Sequence, residues 1–423
     1  MEAVLASFAG FVLFSRSSMN TIFAMRNTIR DYAWGHRSWI KEMVGQTMES
    51  PVIQAELWMG AHPGSSSSIS VDGVWQSLAV LIASDPATWI GDRAVNQGFK
   101  GLPYLAKFLA ADKPLSIQCH PSLEAAKKGF ADEESRGIAR DAENRNYKDA
   151  NHKPEIICAL TEFSALSGFR PGADIAADFK KLSARTKDQV SLSAFELCAG
   201  FAKEGNFSEL TKTLLGLGSQ ASHIANEASR ISAELAAEGG SLAFAELASA
   251  SKYFPGDAGL FFFLVLNLFC MRPGEALYTP AGVLHAYVRG FGIEVMANSD
   301  NVLRGGLTPK YIDVPELLKN LDSSVKIKAV PCVQKGESTV YETPAPEFRL
   351  SHIPANPEAR SLKLSNNGGP EILMCTKGRV WAVGSDDTPV DMFKGTSIFV
   401  RPNKEGIVLK LETDTELFRV ELA

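Results

Sequence analysis

The sequence is poor in cysteine, and no two cysteines lie close together. Six are scattered through 423 residues, and the nearest pair, Cys119 and Cys158, is 39 residues apart. That spacing excludes a disulfide framework and a CxxC metal knuckle, and it suits reduced thiols in a cytoplasmic protein. Positive charge is not in excess. Lys and Arg total 43 against 48 Asp and Glu, for a net charge of −5. No basic tract interleaved with aromatics appears, so no nucleic-acid partner is expected. The apolar run 3–14 is 12 residues long. A bilayer span needs about 20 residues, so no membrane partner is expected either. The run has the length of a signal-peptide core. Only Met1 and Glu2 precede it, however, without a basic side chain, and no clean small-x-small cleavage site follows. Residues 1–24 therefore read as an unstructured extension or a mis-assigned start, with Met19 and Met25 as alternative starts.

Proline is also missing over a long interval, between Pro171 and Pro255. That interval is rich in Ala, Leu, Ser, Glu and Lys and shows helical spacing over 175–182, 210–217 and 224–237. It predicts an inserted helical domain over 171–260. On either side, short apolar segments are broken by Gly, Pro, Ser and Asp, the pattern of an antiparallel sandwich or barrel. Between Leu102 and Ala110 periodicity does not separate helix from buried strand. Ser122 is placed to cap a short helix running to Gly129. The segments 273–280 and 394–402 echo each other as turn, strand and proline stop, and only the first is followed closely by a histidine.

Three segments carry candidate chemistry. In Ser116-Ile117-Gln118-Cys119-His120-Pro121, strand alternation turns Ser116, Gln118 and His120 to one face and Cys119 to the other. Taken alone, this is also how a histidine ending a strand and bonded to backbone looks. In His152-Lys153-Pro154-Glu155, a carboxylate opens an apolar strand, where it either faces inward and needs a partner or sits exposed on an edge. In the stretch from Arg272 to Tyr287, a strand and a Pro280-Ala281-Gly282 turn lead to His285 and Tyr287 on one face. This third segment resembles the second cupin signature, in which the histidine after the turn ligates a metal. Gln118, His120, Glu155 and His285 together offer two nitrogens and two oxygens, a set suited to Zn²⁺ or another first-row divalent ion.

Tyr32-Ala33-Trp34-Gly35, the run from Ala55 to Pro63, the three segments above and the run from Asn298 to Lys310 follow one another in a single order. In that order they resemble the type I mannose-6-phosphate isomerase family. The resemblance spans roughly residues 28–317, with a looser C-terminal part. It implies a mainly β fold with an α-helical insertion and two cupin-type jelly-roll barrels. The catalytic barrel would be 25–170 and 261–325, and the barrel 326–423 would lack a metal site. It implies one zinc ion per chain on Gln118, His120, Glu155 and His285, an active-site arginine at Arg304, and Lys107 and Ser116 near a substrate phosphate. Lys310 and Glu56 are further candidates for the substrate. The implied reaction interconverts mannose 6-phosphate and fructose 6-phosphate through a cis-enediol. That chemistry needs a proton carrier, for which Lys153, Glu294, Tyr287 and Asp300 are candidates.

The expected partner is a hexose 6-phosphate, and the chain is expected to be monomeric with at most weak self-association. Two departures from the family pattern stand out: Cys119 occupies the position between the two ligands, and the N-terminal extension has no counterpart. Rival readings are another aldose isomerase on the same scaffold, a non-catalytic sugar-binding cupin, and a dioxygenase cupin. The last of these usually carries His-x-His where this chain has Gln-x-His.

Overall fold

The computed structural model describes residues 20–47, 52–385 and 387–423. The strands form open antiparallel sheets. Two closed cupin-type barrels were the expectation; among the described residues neither sheet system closes on itself, and strands are shared between sheets instead.

One strand, Ile22–Arg26, joins the two β regions. Ile22, Phe23 and Ala24 pair with Val400, Phe399 and Ile398, whereas Met25 and Arg26 pair with Ile69 and Ser68. The result is a nine-stranded sheet that crosses from the C-terminal third of the chain into its N-terminal part. Alternation along the strand feeds two cores. Ile22 packs with Leu373, Ile398 and Leu409, and Phe23 and Met25 pack with Ile69, Trp89 and Phe399. The extension drawn at 1–24 is thus too long at its C-terminal end, because burial on both faces makes residues 22–24 structural. Residues 1–19 lie outside the described residues. No described helix is long and apolar enough to cross a membrane.

The proline-free interval forms the helices Gly172–Arg185, Gln189–Lys203, Phe207–Leu215, Ala221–Ala237 and Leu242–Ala250. Asp188 and Asn206 cap two of them, accepting the backbone N–H groups of Ser191 and Glu209. The apolar stripe Ile175, Phe179, Leu182 packs against Phe195, Leu210 and Phe261. The same core takes in Leu284, Ala286 and Val288 from the strand His285–Ala297 and the turn before it. Helices therefore cover one face of the first part of that strand, while Phe291, Ile293 and Val295 of its second part pack into the core between the sheets. Elsewhere, Ser122 accepts from Ala125 N–H, and the helix it opens runs to Ser135, past the stop expected at Gly129.

A chain begun at Met25 loses the strand that joins the two β regions. Burial of Ile22 and Phe23 contributes about 3–6 kcal/mol. The expected outcome is an unfolding midpoint several degrees below that of a chain begun at Met19, measured by calorimetry. Equal midpoints would mean that the pairing contributes nothing to stability.

Candidate metal centre and active-site cleft

The strand His285–Ala297 organises the site. Its first part pairs with Phe163–Phe169 and with Gln118; its second part lies between Tyr104–Ala111 and Glu155–Ala159. The register slips where Tyr287 faces Ala165 and Arg289 faces Ser164, so Val288 is an extra residue. Such a bulge reverses which face later residues point to. It brings Glu294 and Met296 to the same face as His285 and Tyr287. The chain then bends at Gly290, whose φ is +132°, and a Cβ there would lie 2.6–2.8 Å from Phe163. Only glycine fits that contact.

Around this face three ligand-bearing side chains converge. His120, Glu155 and His285 are buried, and each offers a ligand atom within 4.8 Å of the other two. His285 Nε2 is 2.9 Å from Glu155 Oε1, and His120 Nε2 is 3.4 Å from Glu155 Oε2. The far nitrogen of each ring is already committed. His120 Nδ1–H donates to the Asn301 carbonyl at 2.7 Å, and His285 Nδ1–H donates to the Val283 carbonyl at 2.9 Å. These bonds fix the tautomer and aim each Nε2 lone pair at the common centre. Gln118 lies directly opposite His285 in the pairing and therefore shares its face. The donor set of two imidazoles, a carboxylate and an amide oxygen fits a borderline divalent ion such as zinc. Burial, then the Lys153 ammonium, pushes the His120 pKa down to about 4, so the imidazole is neutral and competent as a ligand at neutral pH. Burial alone would raise the Glu155 pKa. Lys153, His285 and His120 outweigh it and hold the carboxyl well below its usual range. Tyr287 donates its hydroxyl to Glu155 Oε1 at 3.3 Å.

A second buried charge cluster adjoins the first. Lys107 Nζ is 2.7 Å from Glu294 Oε2 and 3.3 Å from Glu56 Oε1. Burial opposes the Lys107 charge, but the two carboxylates prevail and raise its pKa above the usual range, so it is a permanent cation. Burial raises the Glu294 pKa, Lys107 counters, and the Glu155 charge adds to the rise. Glu56 also accepts from Trp58 Nε1–H at 2.7 Å.

Both clusters open on a cleft of about 610 Å³. Gln118, Lys153, Lys107 and Glu56 reach its surface, as do Ser116, Asp300, Arg304 and Lys310. His120, Glu155, His285, Tyr287 and Glu294 lie behind that surface. Arg304 sits opposite Gln118 in the pairing, so His285, Gln118 and Arg304 form a row across three strands. Among the described residues Arg304 and Lys310 make no ion pair, and burial lowers the pKa of both, for Lys310 together with the Arg304 and Lys148 charges. Lys107, expected near a phosphate, has its charge satisfied by two carboxylates. Asp300 is half exposed at the rim, with His62 Nε2 at 3.4 Å.

Several site residues were not singled out from the sequence. His62, buried against the edge of Trp58, lies within a quoted motif, but its pairing with Asp300 spans more than 200 residues. Lys148 and Lys113 add positive charge to the cleft wall, and Tyr253 and Phe254 reach it from the end of the helical segment. Asn301 is fully buried. Its Nδ2 donates to the Asp149 and Asn151 carbonyls at 2.8 Å, and its Oδ1 accepts from Lys148 N–H. The whole group holds the carbonyl that orients His120. Asn301→Ala is expected to weaken zinc affinity about 10–100-fold, read by competition with a chromophoric chelator. Unchanged affinity would mean that the orientation of His120 is set elsewhere.

The family model for the phosphomannose isomerase type I catalytic domain matches residues 22–172. The mannose-6-phosphate isomerase of Escherichia coli K12 is 36% identical over 397 residues, covering 91% of this chain and 96% of that protein. The human mannose-6-phosphate isomerase is 32% identical over 424 residues, covering 94% and 97% respectively. The crystal structure of the Salmonella typhimurium mannose 6-phosphate isomerase bound to fructose 6-phosphate and zinc superposes with a TM-score of 0.83 at 34% identity, covering 95% of this chain and 100% of that one. With sequence and fold alike over almost the whole length, this chain belongs to the type I phosphomannose isomerase family, whose members are mannose-6-phosphate isomerases.

Proposed function

We propose that this chain interconverts mannose 6-phosphate and fructose 6-phosphate through a cis-enediol, with one zinc ion per chain held by Gln118, His120, Glu155 and His285. The observation that carries the reading is the convergence of two imidazoles of fixed orientation on a buried carboxylate at the floor of a cleft whose wall bears Arg304 and Lys310, which make no ion pair among the described residues. Bound there, zinc supplies Lewis acidity to a substrate oxygen on which negative charge develops.

The remaining work falls to the chain's own side chains. Arg304 lies in a row with Gln118 and His285 and has no carboxylate partner among the described residues, which suits it to the enediolate oxygens. The substrate phosphate is assigned to Lys310 and Lys148 at the mouth, with the Ser116 hydroxyl as a further donor. Lys107 is assigned instead to the reacting end, as a fixed cation held by Glu294 and Glu56. Among the four proton-carrier candidates, Lys153 and Asp300 line the cleft, while Tyr287 and Glu294 lie behind it. Lys153 sits at the floor beside the ligand set and Asp300 at the exposed rim, so the proton transfer between C1 and C2 is assigned to Lys153 Nζ. Lys153 would first have to lose the proton it shares with Glu155 and, as the free amine, would take a proton from one carbon and return it to the other. Tyr287 then orients Glu155, and Glu294 orients Lys107.

The test is conversion of mannose 6-phosphate in a coupled assay, with metal content measured on the same preparations. Chelation is expected to abolish turnover, and zinc to restore it. Arg304→Ala is expected to lower kcat/KM about 10²–10³-fold at unchanged zinc content. Lys153→Met is expected to lower kcat about 10²–10⁴-fold and to suppress solvent-deuterium incorporation into product. Full turnover without metal would overturn the ligand assignment. A Lys153→Met enzyme of normal kcat would move the proton to another group.

A further inference from the structure

The segment that carries Arg304 ends in strained backbone. Leu307 has a φ of +53° although it is not glycine, and Gly306 before it has a φ of +124°. A buried leucine adopts the left-handed region only when its surroundings impose it. On one side the segment is held by the strand that bears Gln118: Gly305 N–H donates to the Ile117 carbonyl at 2.8 Å, and Ile117 N–H donates to the Gly306 carbonyl at 3.0 Å. On the other side the partner is a single carboxylate oxygen. Asp257 Oδ1 accepts Leu307 N–H at 2.9 Å and Gly259 N–H at 2.7 Å. The two backbones meet there without side chains between them. A Cβ on Gly306 would lie 2.5 Å from Gly259 Cα, and one on Gly259 would lie 2.6 Å from Leu307 N.

Asp257 stands where the helical segment returns to the β structure, just after Tyr253 and Phe254, which line the cleft. Leu307 lines the same cleft. The contact therefore ties the loop that ends the helical insertion to the backbone at Leu307, three residues along the chain from Arg304. We propose that Asp257 is a positioning residue: it holds Leu307 in the left-handed conformation and so sets the approach of Arg304 to the substrate. The helical insertion is on this view the brace of the arginine segment, not added bulk. The proposal rests on the assignment of Arg304 to the substrate.

Two readouts separate the proposal from that assignment. The first is amide hydrogen exchange of residues 303–310 in the zinc-loaded full chain, which does not depend on what Arg304 contacts. Asp257→Ala is expected to speed exchange there at least tenfold and leave the segments around His120 and His285 unchanged. The second is steady-state kinetics. Asp257→Ala is expected to lower kcat/KM for mannose 6-phosphate at least tenfold at unchanged zinc content. Asp257→Asn keeps a carbonyl acceptor at the same place and is expected to stay within threefold of the parent. Adding Leu307→Gly to Asp257→Ala removes the penalty of the left-handed conformation and is expected to recover most of the lost kcat/KM. Unchanged exchange over 303–310 in Asp257→Ala would overturn the brace. A double variant that folds, binds zinc and recovers nothing would overturn it as well, as would an Asp257→Asn loss as deep as that of Asp257→Ala. Faster exchange without any kinetic loss would keep the brace and overturn its link to catalysis, pointing to an error in the assignment of Arg304.

Discussion

A carboxylate almost entirely removed from water sits at the centre of this molecule. An isolated ionised carboxyl at that depth is strongly unfavourable, and only close compensation makes it tolerable. Glu155 receives that compensation from two imidazoles, the Lys153 ammonium and the Tyr287 hydroxyl. His285 and Tyr287 come from one strand, His120 from just after the strand Gln118–Cys119, and Lys153 from the residues just before Glu155; both imidazoles have a backbone anchor. The carboxylate thus makes strict demands on the surrounding sheet. It requires imidazoles held in a fixed orientation, which the Asn301 and Val283 carbonyls supply. It also requires that the strands bearing its partners present them on one face.

That second demand is met by an irregularity. Along an unbroken strand, His285 and Glu294, nine residues apart, would point to opposite faces. The extra residue at Val288 reverses the alternation, and Gly290 allows the bend that follows. One strand can then carry a metal-ligating histidine on its first half and the partner of Lys107 on its second. The other face of the first half is given to the helical segment through Leu284, Ala286 and Val288. Helix packing and site geometry are therefore two sides of the same strand. The same segment returns at Asp257 to touch the backbone after Arg304, so the insertion meets the site twice.

Much of this was legible in the chain. The helical spacing over 175–182, 210–217 and 224–237 coincides with helices, because an apolar stripe of period 3.6 needs only local sequence to be seen. The helix Gln189–Lys203 was missed because Val190 and Leu197 stay exposed and blur its stripe. The strand Tyr104–Ala111 was ambiguous for the opposite reason. It is buried on both faces, so no alternation remains to be read. The start of the fold was set too late because Ile22 and Phe23 look like the end of an apolar run until Val400 and Phe399 are found beside them.

The candidate ligands divide in the same way. Residue type and spacing put Gln118, His120, Glu155 and His285 forward as candidates, because a turn before a histidine and a proline before a carboxylate are local features. The first two segments taken alone fitted an ordinary strand end or sheet edge as well, and the family resemblance joined them. The sequence by itself also determined the helical composition of the insertion and the order of the motifs. It did not determine which charges neutralise each other. Lys107 lies in a strand whose burial hides it, and only its register against Glu294 and the approach of Glu56 show that its charge is spent inside the protein. His62 and Asp300, and Asp257 and Leu307, meet across long stretches of chain. Pairings of that kind are decided by strand register, by a bulge and by the docking of one backbone on another. Those are properties of the folded chain, since the energy of a buried charge or a strained residue depends on neighbours that adjacent sequence does not name.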